Sequence, residues 1–182
     1  MAIPNSSFLA GVLGSKDANA TFEPQRTNNG LLQISGLEAF SPNGSESIKI
    51  AVMNFPLPEV SVNVTEIPYL NERRRYAGNV NYGMMSATFH DYTDRAIAQT
   101  LWAWHQYIHN PATGLRGVKA KYAKTAYIDL ASPDNDPAAA RAYKILNIWP
   151  VSINFGQIDM TSDEPVRIGV QFSIDKVFPL DM

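Results

Sequence analysis

Cysteine is absent from the 182 residues. A disulfide framework and a thiolate zinc site are therefore excluded, and the compartment is left open. Long apolar runs are missing as well: none approaches the roughly 20 residues that a membrane-spanning helix needs. The first residues, Met1 to Gly14, have neither the basic start nor the apolar stretch of a secretory signal. The chain is expected to stay in the cytoplasm unless a dedicated machine exports it, with no membrane partner. An excess of one charge is lacking too. Lys and Arg total 15 against 17 Asp and Glu, for a formal net charge of −2. Such a chain has no electrostatic case for gripping a phosphate backbone over its whole surface, although a local basic stripe can still form.

What remains is ordinary globular material, 45% apolar and 18% charged, too apolar for a disordered chain. The length fits one domain over residues 1–182, enough to bury roughly two-thirds of the unfolded surface. No internal repeat or domain boundary stands out. Residues 1–30 are small, polar and turn-rich and read as an arm, with one short helix at Ser6 to Leu13 weakened by Gly11 and Gly14.

Beyond the arm the pattern is mostly β. Leu31–Ser35, Ile48–Phe55, Val60–Glu66, Met84–His90, Tyr122–Leu130, Ala142–Ile148 and Val166–Asp175 read as strands. Their alternation suits half-buried surfaces. Val60, Val62 and Val64 point one way while Ser61, Asn63 and Thr65 point the other. The last strand alternates Val166, Ile168, Val170, Phe172 and Ile174 with Arg167, Gly169, Gln171, Ser173 and Asp175. Trp149-Pro150 reads as a break, after which Val151, Ile153 and Phe155 continue an apolar face. Trp149 is expected on that face, as a core anchor. Ser132 to Pro137 suits a hairpin tip. Residues 67–83 form a projecting hairpin or arm carrying Glu72, Arg73, Arg74 and Arg75. One helix is clear: Ile97, Leu101, Trp104 and Ile108 make a single stripe, Thr93 suits the N-cap, and Asn110-Pro111 ends it. Ala112 to Lys121 is a basic loop with Arg116, Lys119 and Lys121. These elements predict a mainly β fold: two packed antiparallel sheets, as a sandwich or distorted barrel, with one flanking α-helix.

Catalytic patterns are missing. His105 and His109 have a metal-compatible spacing, but Gln106 stands where a zinc protease needs Glu, and their place near a helix C-terminus favours capping and surface packing. Asp134, Asn135 and Asp136 lack the alternate spacing, central Gly and late Glu of a calcium loop. No G-x-S-x-G or phosphate loop occurs. The expectation is no enzyme, no cofactor and no metal. Arg73, Arg74 and Arg75 can contact nucleic acid, but in a net-acidic chain they fit a protein interface better.

Three segments, in order, resemble the tail tube family of contractile bacteriophages (myophages). The first runs from Phe55-Pro56-Leu57-Pro58 to Glu66-Ile67-Pro68-Tyr69-Leu70-Asn71-Glu72-Arg73-Arg74-Arg75-Tyr76-Ala77-Gly78. The second, Ser86 to Trp104, passes through His90-Asp91-Tyr92 into an aromatic-rich helix. The third joins Tyr143 to Trp149-Pro150, Ile158-Asp159-Met160 and the strand from Val166 to Asp175. The likeness covers roughly residues 22–178, with Asn81, Tyr82 and Gly83 lengthening one connection.

What the resemblance implies is a tail-tube or Hcp-like fold whose subunits form six-membered rings. The rings would stack into a hollow tube for DNA ejection. Its partners would be other copies, a tail sheath protein, the baseplate and a tail terminator, with DNA passing through without specific binding. The protein would reside in the virion tail after assembly in the host cytoplasm. The inner tube of a contractile injection or type VI secretion system shares the fold and is the nearest rival. A β-sandwich module that binds a carbohydrate or other ligand on surface Tyr and Trp is the reading from another class. For the tube, Glu72, Arg73, Arg74 and Arg75 are expected at a subunit interface. The faces with Ser61, Asn63 and Thr65, or with Gln171, Ser173 and Asp175, are expected to include the lumen wall, where a wet, non-basic surface would not hold DNA.

Overall fold

The computed structural model describes residues 28, 30–94, 96–130, 141–161 and 163–180. Most of the N-terminal arm, its short helix and the Ser132 to Pro137 tip lie outside them. Nine strands are present among the described residues: β1 (Gly30–Ser35), β2 (Val52–Asn54), β3 (Val60–Tyr69), β4 (Glu72–Tyr82), β5 (Met85–His90), β6 (Lys124–Leu130), β7 (Arg141–Asn154), β8 (Arg167–Ser173) and β9 (Lys176–Pro179). Helices α1 (Gly44–Ala51), α2 (Ala96–Ile108) and α3 (Lys119–Tyr122) complete the set, with a 3-10 turn at Leu37–Ala39.

The main sheet is antiparallel and runs in the order β1-β6-β7-β8-β5-β2, with β9 also on β7. The two expected layers are the two halves of this one curled sheet, and β7 belongs to both. Its first part pairs with β6 and β9, and Trp149 to Asn154 pair with β8. Irregularities flank the crossing. Leu146 and Ile148 pair with the adjacent Thr125 and Lys124, so Asn147 is an extra residue, held at φ 58. Asparagine tolerates this left-handed conformation better than most residues. Val151 is likewise extra, between Pro150 opposite Phe172 and Ser152 opposite Gln171. Bulges bend a strand and strengthen its twist. Here two of them carry one strand from one half of the sheet to the other.

Trp149-Pro150 therefore does not interrupt the strand. A proline is tolerated next to a bulge, where the ladder is already disrupted. The Val151 bulge also changes which residues share a face. Trp149 lies opposite Ser173, and Ile153 opposite Val170, so Trp149 and Ile153 face opposite ways. Trp149 is half-buried and packs edge-on to Tyr122, centroids 5.8 Å apart. The buried tryptophan is Trp104, which donates its indole N–H to the Tyr122 carbonyl at 2.8 Å.

The core lies inside the curl. Leu32, Ile34, Ala126, Ile128, Ile145, Phe89, Ile168, Val170 and Phe172 supply the sheet's inner face. Helix α2 follows its expected stripe, with Ile97, Leu101 and Trp104 buried. Its N-terminal cap differs from the expectation: Asp94, not Thr93, accepts the Ala96 N–H at 3.1 Å. The stretch from Ile48 to Ala51 is helix α1 and not strand. Ile48 and Ala51 are buried while Ile50 points outward. An i, i+3 burial pattern with Glu46 in the first turn and Lys49 in the last suits a helix. Gly44 allows the close approach, since a Cβ there would sit 2.8 Å from the Leu37 carbonyl oxygen.

Candidate assembly surface

Strands β3 and β4 form a separate two-stranded sheet. The projecting hairpin thus starts at Val60, several residues before the expected 67. Every β3 residue is exposed. The half-buried face predicted for Val60, Val62 and Val64 is left exposed by the described residues. Val62 is 48% and Val64 62% exposed. Two-stranded hairpins are marginal in water without a packed face.

The register sorts side chains onto two faces, because directly paired residues point the same way. Val60 pairs with Tyr82, Val62 with Val80, Val64 with Ala77, Glu66 with Arg75 and Pro68 with Arg73. That face is apolar at its base and charged near its tip. On the other, Ser61 pairs with Asn81, Thr65 with Tyr76, Ile67 with Arg74 and Tyr69 with Glu72. It is polar at its base and aromatic near its tip. The two faces carry opposite gradients. Tyr82, at the foot of the valine face, packs against the core and anchors the hairpin to the body.

Gly78 makes this register workable. Between the Val62–Val80 and Val64–Ala77 pairs, β4 has one residue more than β3. A Cβ on Gly78 would lie 2.9 Å from the Asn63 carbonyl oxygen and 3.2 Å from Thr65 Oγ1. Only glycine fits that approach without a shift. At the tip, Leu70 has φ 53 and is almost wholly exposed, unusual for a non-glycine residue.

The arginines divide between the faces. Arg75 Nε donates to Glu66 Oε1 at 2.9 Å, and an Arg73 guanidinium nitrogen lies 3.5 Å from Glu66 Oε2. One carboxylate therefore holds two guanidinium groups. Arg74 points the other way and lies over the Tyr69 ring, 4.5 Å from its centroid, where the ring's negative face attracts it. Glu72 is exposed beside the turn.

The second polar strand face lies on the body. Gln171 is exposed and Ser173 half-exposed. Ser86 and Ser152 flank Gln171, and Thr88 and Asn154 flank Gly169. This outer face of β5, β8 and β7 is small, polar and uncharged through its middle. Ser61, Asn63 and Thr65 are on the separate hairpin, so the structure does not bring the two polar sets into one sheet. Asp175 lies just beyond β8. It accepts a hydrogen bond from Lys119 Nζ at 2.6 Å and one from Asn147 Nδ2 at 2.9 Å. The Lys119 ammonium chiefly holds its carboxyl below the ordinary carboxylate range.

His105 stacks on Trp102, with centroids 6.3 Å apart, and His109 is exposed at the end of α2. Among the described residues, no group of three or more His, Cys, Asp or Glu is placed to hold a metal. The alternating valines mark an apolar face in the sequence; what the alternation does not show is that this face belongs to the projecting hairpin and not to a half-buried strand of the body.

A family model for phage tail tube proteins matches residues 20–177. No curated protein sequence matches the chain. Several solved structures share the fold. The tube-terminating cap of the anti-feeding prophage has a TM-score of 0.68 at 15% identity, covering 91% of this chain and 97% of its own. The sheath/tube terminator of PVC, an extracellular contractile injection system, has a TM-score of 0.66 at 15% identity, covering 88% and 99%. The sheath–tube complex of the same system gives 0.65 at 14%, covering 89% and 95%.

Proposed function

From the premise that the chain belongs to the phage tail tube protein family, a family of structural subunits, we propose that it assembles into six-membered rings. These rings stack into the channel through which DNA leaves the virion. The observation that carries this reading is the β3–β4 hairpin, an ordered projection whose valine face finds no cover among the described residues of its own subunit. A second copy is the natural cover, because head-to-tail contacts between identical chains close rings and build filaments. Near the tip, Glu72, Arg73, Arg74 and Arg75 would meet carboxylates or carbonyls of that neighbour.

With the valines covered, the opposite side of the hairpin base stays wet. We assign Ser61, Asn63 and Thr65 to the lumen wall for that reason. Gln171 and Ser173 join them because their face of the body is polar and uncharged through its middle, with Asp175 at one margin paired with Lys119 and Arg167 at the other paired with Glu164. A wall without free cations gives a phosphate backbone nothing to bind. The protein would work in the virion tail after assembly in the host cytoplasm. A sheath, a baseplate and a terminator would be its partners, in keeping with the names of the similar structures. No step calls for an active site.

The inner tube of a contractile injection system is the second reading, favoured by the fold shared with such assemblies. The test of assembly is electron microscopy and sedimentation of the purified chain, with Arg73, Arg74 and Arg75 replaced together by Glu as the comparison. Six-fold rings or tubes are expected from the wild type. The triple variant should give a folded subunit by circular dichroism but no polymer, since like charges at a contact cost several kcal/mol. A wild type that stays monomeric at all concentrations and salts refutes the tube. Normal tubes from the triple variant remove the hairpin tip from the interface.

A further inference from the structure

The basic segment after α2 and the acidic loop between β7 and β8 are not used by the hairpin, and they touch the polar face of the body only at its margins. They lie at opposite ends of the body. Strand β8 begins at Arg167, directly after the acidic loop, and leads to Asp175, which is paired with Lys119 of the basic segment. Eight residue steps at about 3.3 Å separate these ends by about 26 Å. Helix α2 runs the same way. Its N-terminal side is tied to the acidic end by the hydrogen bond from Asp91 N–H to the Val166 carbonyl. Its C-terminal side is tied to the basic end by the hydrogen bond from Gly117 N–H to the Ile108 carbonyl.

Charge is segregated between these ends. Asp91, Asp94, Asp159, Asp163 and Glu164 cluster around the first, against Arg167 and, in sequence, Arg95. Arg116, Lys119, Lys121 and Lys176 cluster around the second, against Asp175. Each end also displays bare aliphatic side chains. Ile158 is 81% and Met160 94% exposed at the acidic end, and Leu115 is 71% and Val118 65% exposed at the basic end. Charged loops studded with exposed apolar groups have the character of contact surfaces. The basic segment is also held in shape. His109 and Arg116 form a β-bridge, and Asn110 N–H donates to the Leu115 carbonyl. Gly117 passes so close to Tyr107 that a Cβ would meet its carbonyl oxygen.

We propose that these two ends are complementary docking surfaces, and that the acidic end of one copy seats on the basic end of the next. This rests on the reading of the chain as a self-assembling tube subunit. Opposite charges on opposite ends make every head-to-tail contact attractive and every head-to-head contact repulsive, which fixes the direction of growth. Paired Ile158 and Met160 against Leu115 and Val118 supply the apolar centre of the contact.

The test uses two charge-reversed full-length proteins. One carries Asp163→Lys and Glu164→Lys and is basic at both ends. The other carries Arg116→Glu and Lys121→Glu and is acidic at both ends, with the Lys119–Asp175 pair left intact. Circular dichroism should show both folded. Each alone should yield at least tenfold less polymer than wild type by sedimentation, and an equimolar mixture should restore it. Raising the salt should weaken wild-type assembly, because exposed charges are screened. Wild-type levels of polymer from either variant alone, or a mixture of folded variants that fails to associate, overturns the proposal. A wild type that never polymerises refutes the tube reading separately. The end contact is then decided by sedimentation velocity of the mixture, where a heavier species supports it and its absence overturns it.

Discussion

Replacing Val62 and Val64 with threonine should leave the subunit folded and cripple its assembly. Threonine keeps the β-branched shape that a strand favours, so the hairpin retains its local preference. The change replaces one methyl of each valine with a hydroxyl, which removes apolar surface and adds a polar group that must be desolvated when covered. Full burial of a valine contributes about 1.5–3 kcal/mol. Val62 and Val64 are 48% and 62% exposed in the isolated subunit, so a covering neighbour gains about half of that, roughly 1 kcal/mol from each. Losing part of this at both positions and desolvating two hydroxyls costs about 2 kcal/mol per contact, close to a thirtyfold drop in the association constant at 1.4 kcal/mol per factor of ten. The critical concentration for polymer, read by sedimentation across a dilution series, should rise accordingly. The melting midpoint of the unassembled subunit should move by less than about 2 °C, because neither side chain belongs to the buried core. A large fall in that midpoint shows that the valines stabilise the subunit itself. An unchanged critical concentration shows that no neighbour covers them. Either result refutes the argument.

The other predictions concern the body of the subunit. Trp104→Ala removes a wholly buried indole and its bond to the Tyr122 carbonyl. It should cost roughly 3–5 kcal/mol, whereas Trp149→Ala, at a half-buried position, should cost about 1–3 kcal/mol; chemical denaturation giving the reverse order contradicts the packing. Asp175→Asn should cost no more than about 1 kcal/mol at neutral pH, since the Lys119 pair is half exposed to solvent. The folded pKa of Asp175 is depressed, so its contribution is complete above the unfolded value of about 3.9 and is lost as pH falls through the folded pKa. The difference between wild type and variant should therefore close in acid, and a gap that widens as pH falls contradicts the assignment.

Much of the fold was legible from period alone. The last strand alternates so cleanly that Ile168, Val170 and Phe172 could be placed in the core directly, and the stripe of α2 was equally plain. Helix α1 was misread because Ile48, Ile50 and Val52 fit a period of two, while Ile48 and Ala51 fit a helix. Ile50, mostly exposed, decides the matter only once the structure is known. Trp149-Pro150 looked like a break because bulges have no fixed composition, and it takes cross-strand registers to reveal one. Strand β9 was missed because four residues ending in Pro179 carry little signal. The hairpin shows a deeper limit. Val60, Val62 and Val64 announce that one face avoids water, but a strand covered by another molecule and one covered by its own core carry the same alternation. Register, by contrast, shows that Arg73 and Arg75 share Glu66 while Arg74 does not, a division that an unbroken run of arginines conceals.

The sharing of β7 between the two halves of the sheet bears on the order in which the chain can fold. Strand β1 pairs with β6 across roughly 90–100 residues of intervening sequence, and β5 waits for β8. Neither half closes before β7 supplies the strand that joins them. Long loops must be ordered before their contacts form, so such topologies fold slowly. During synthesis, β1, β2 and β5 leave the ribosome before the main sheet can form, whereas the β3–β4 hairpin can zip as soon as it emerges. The projection proposed to meet a neighbour is thus ready before the body that carries it. A subunit gains its closed core only when β7, β8 and β9 arrive, which delays the appearance of a growth-competent particle until translation has passed them.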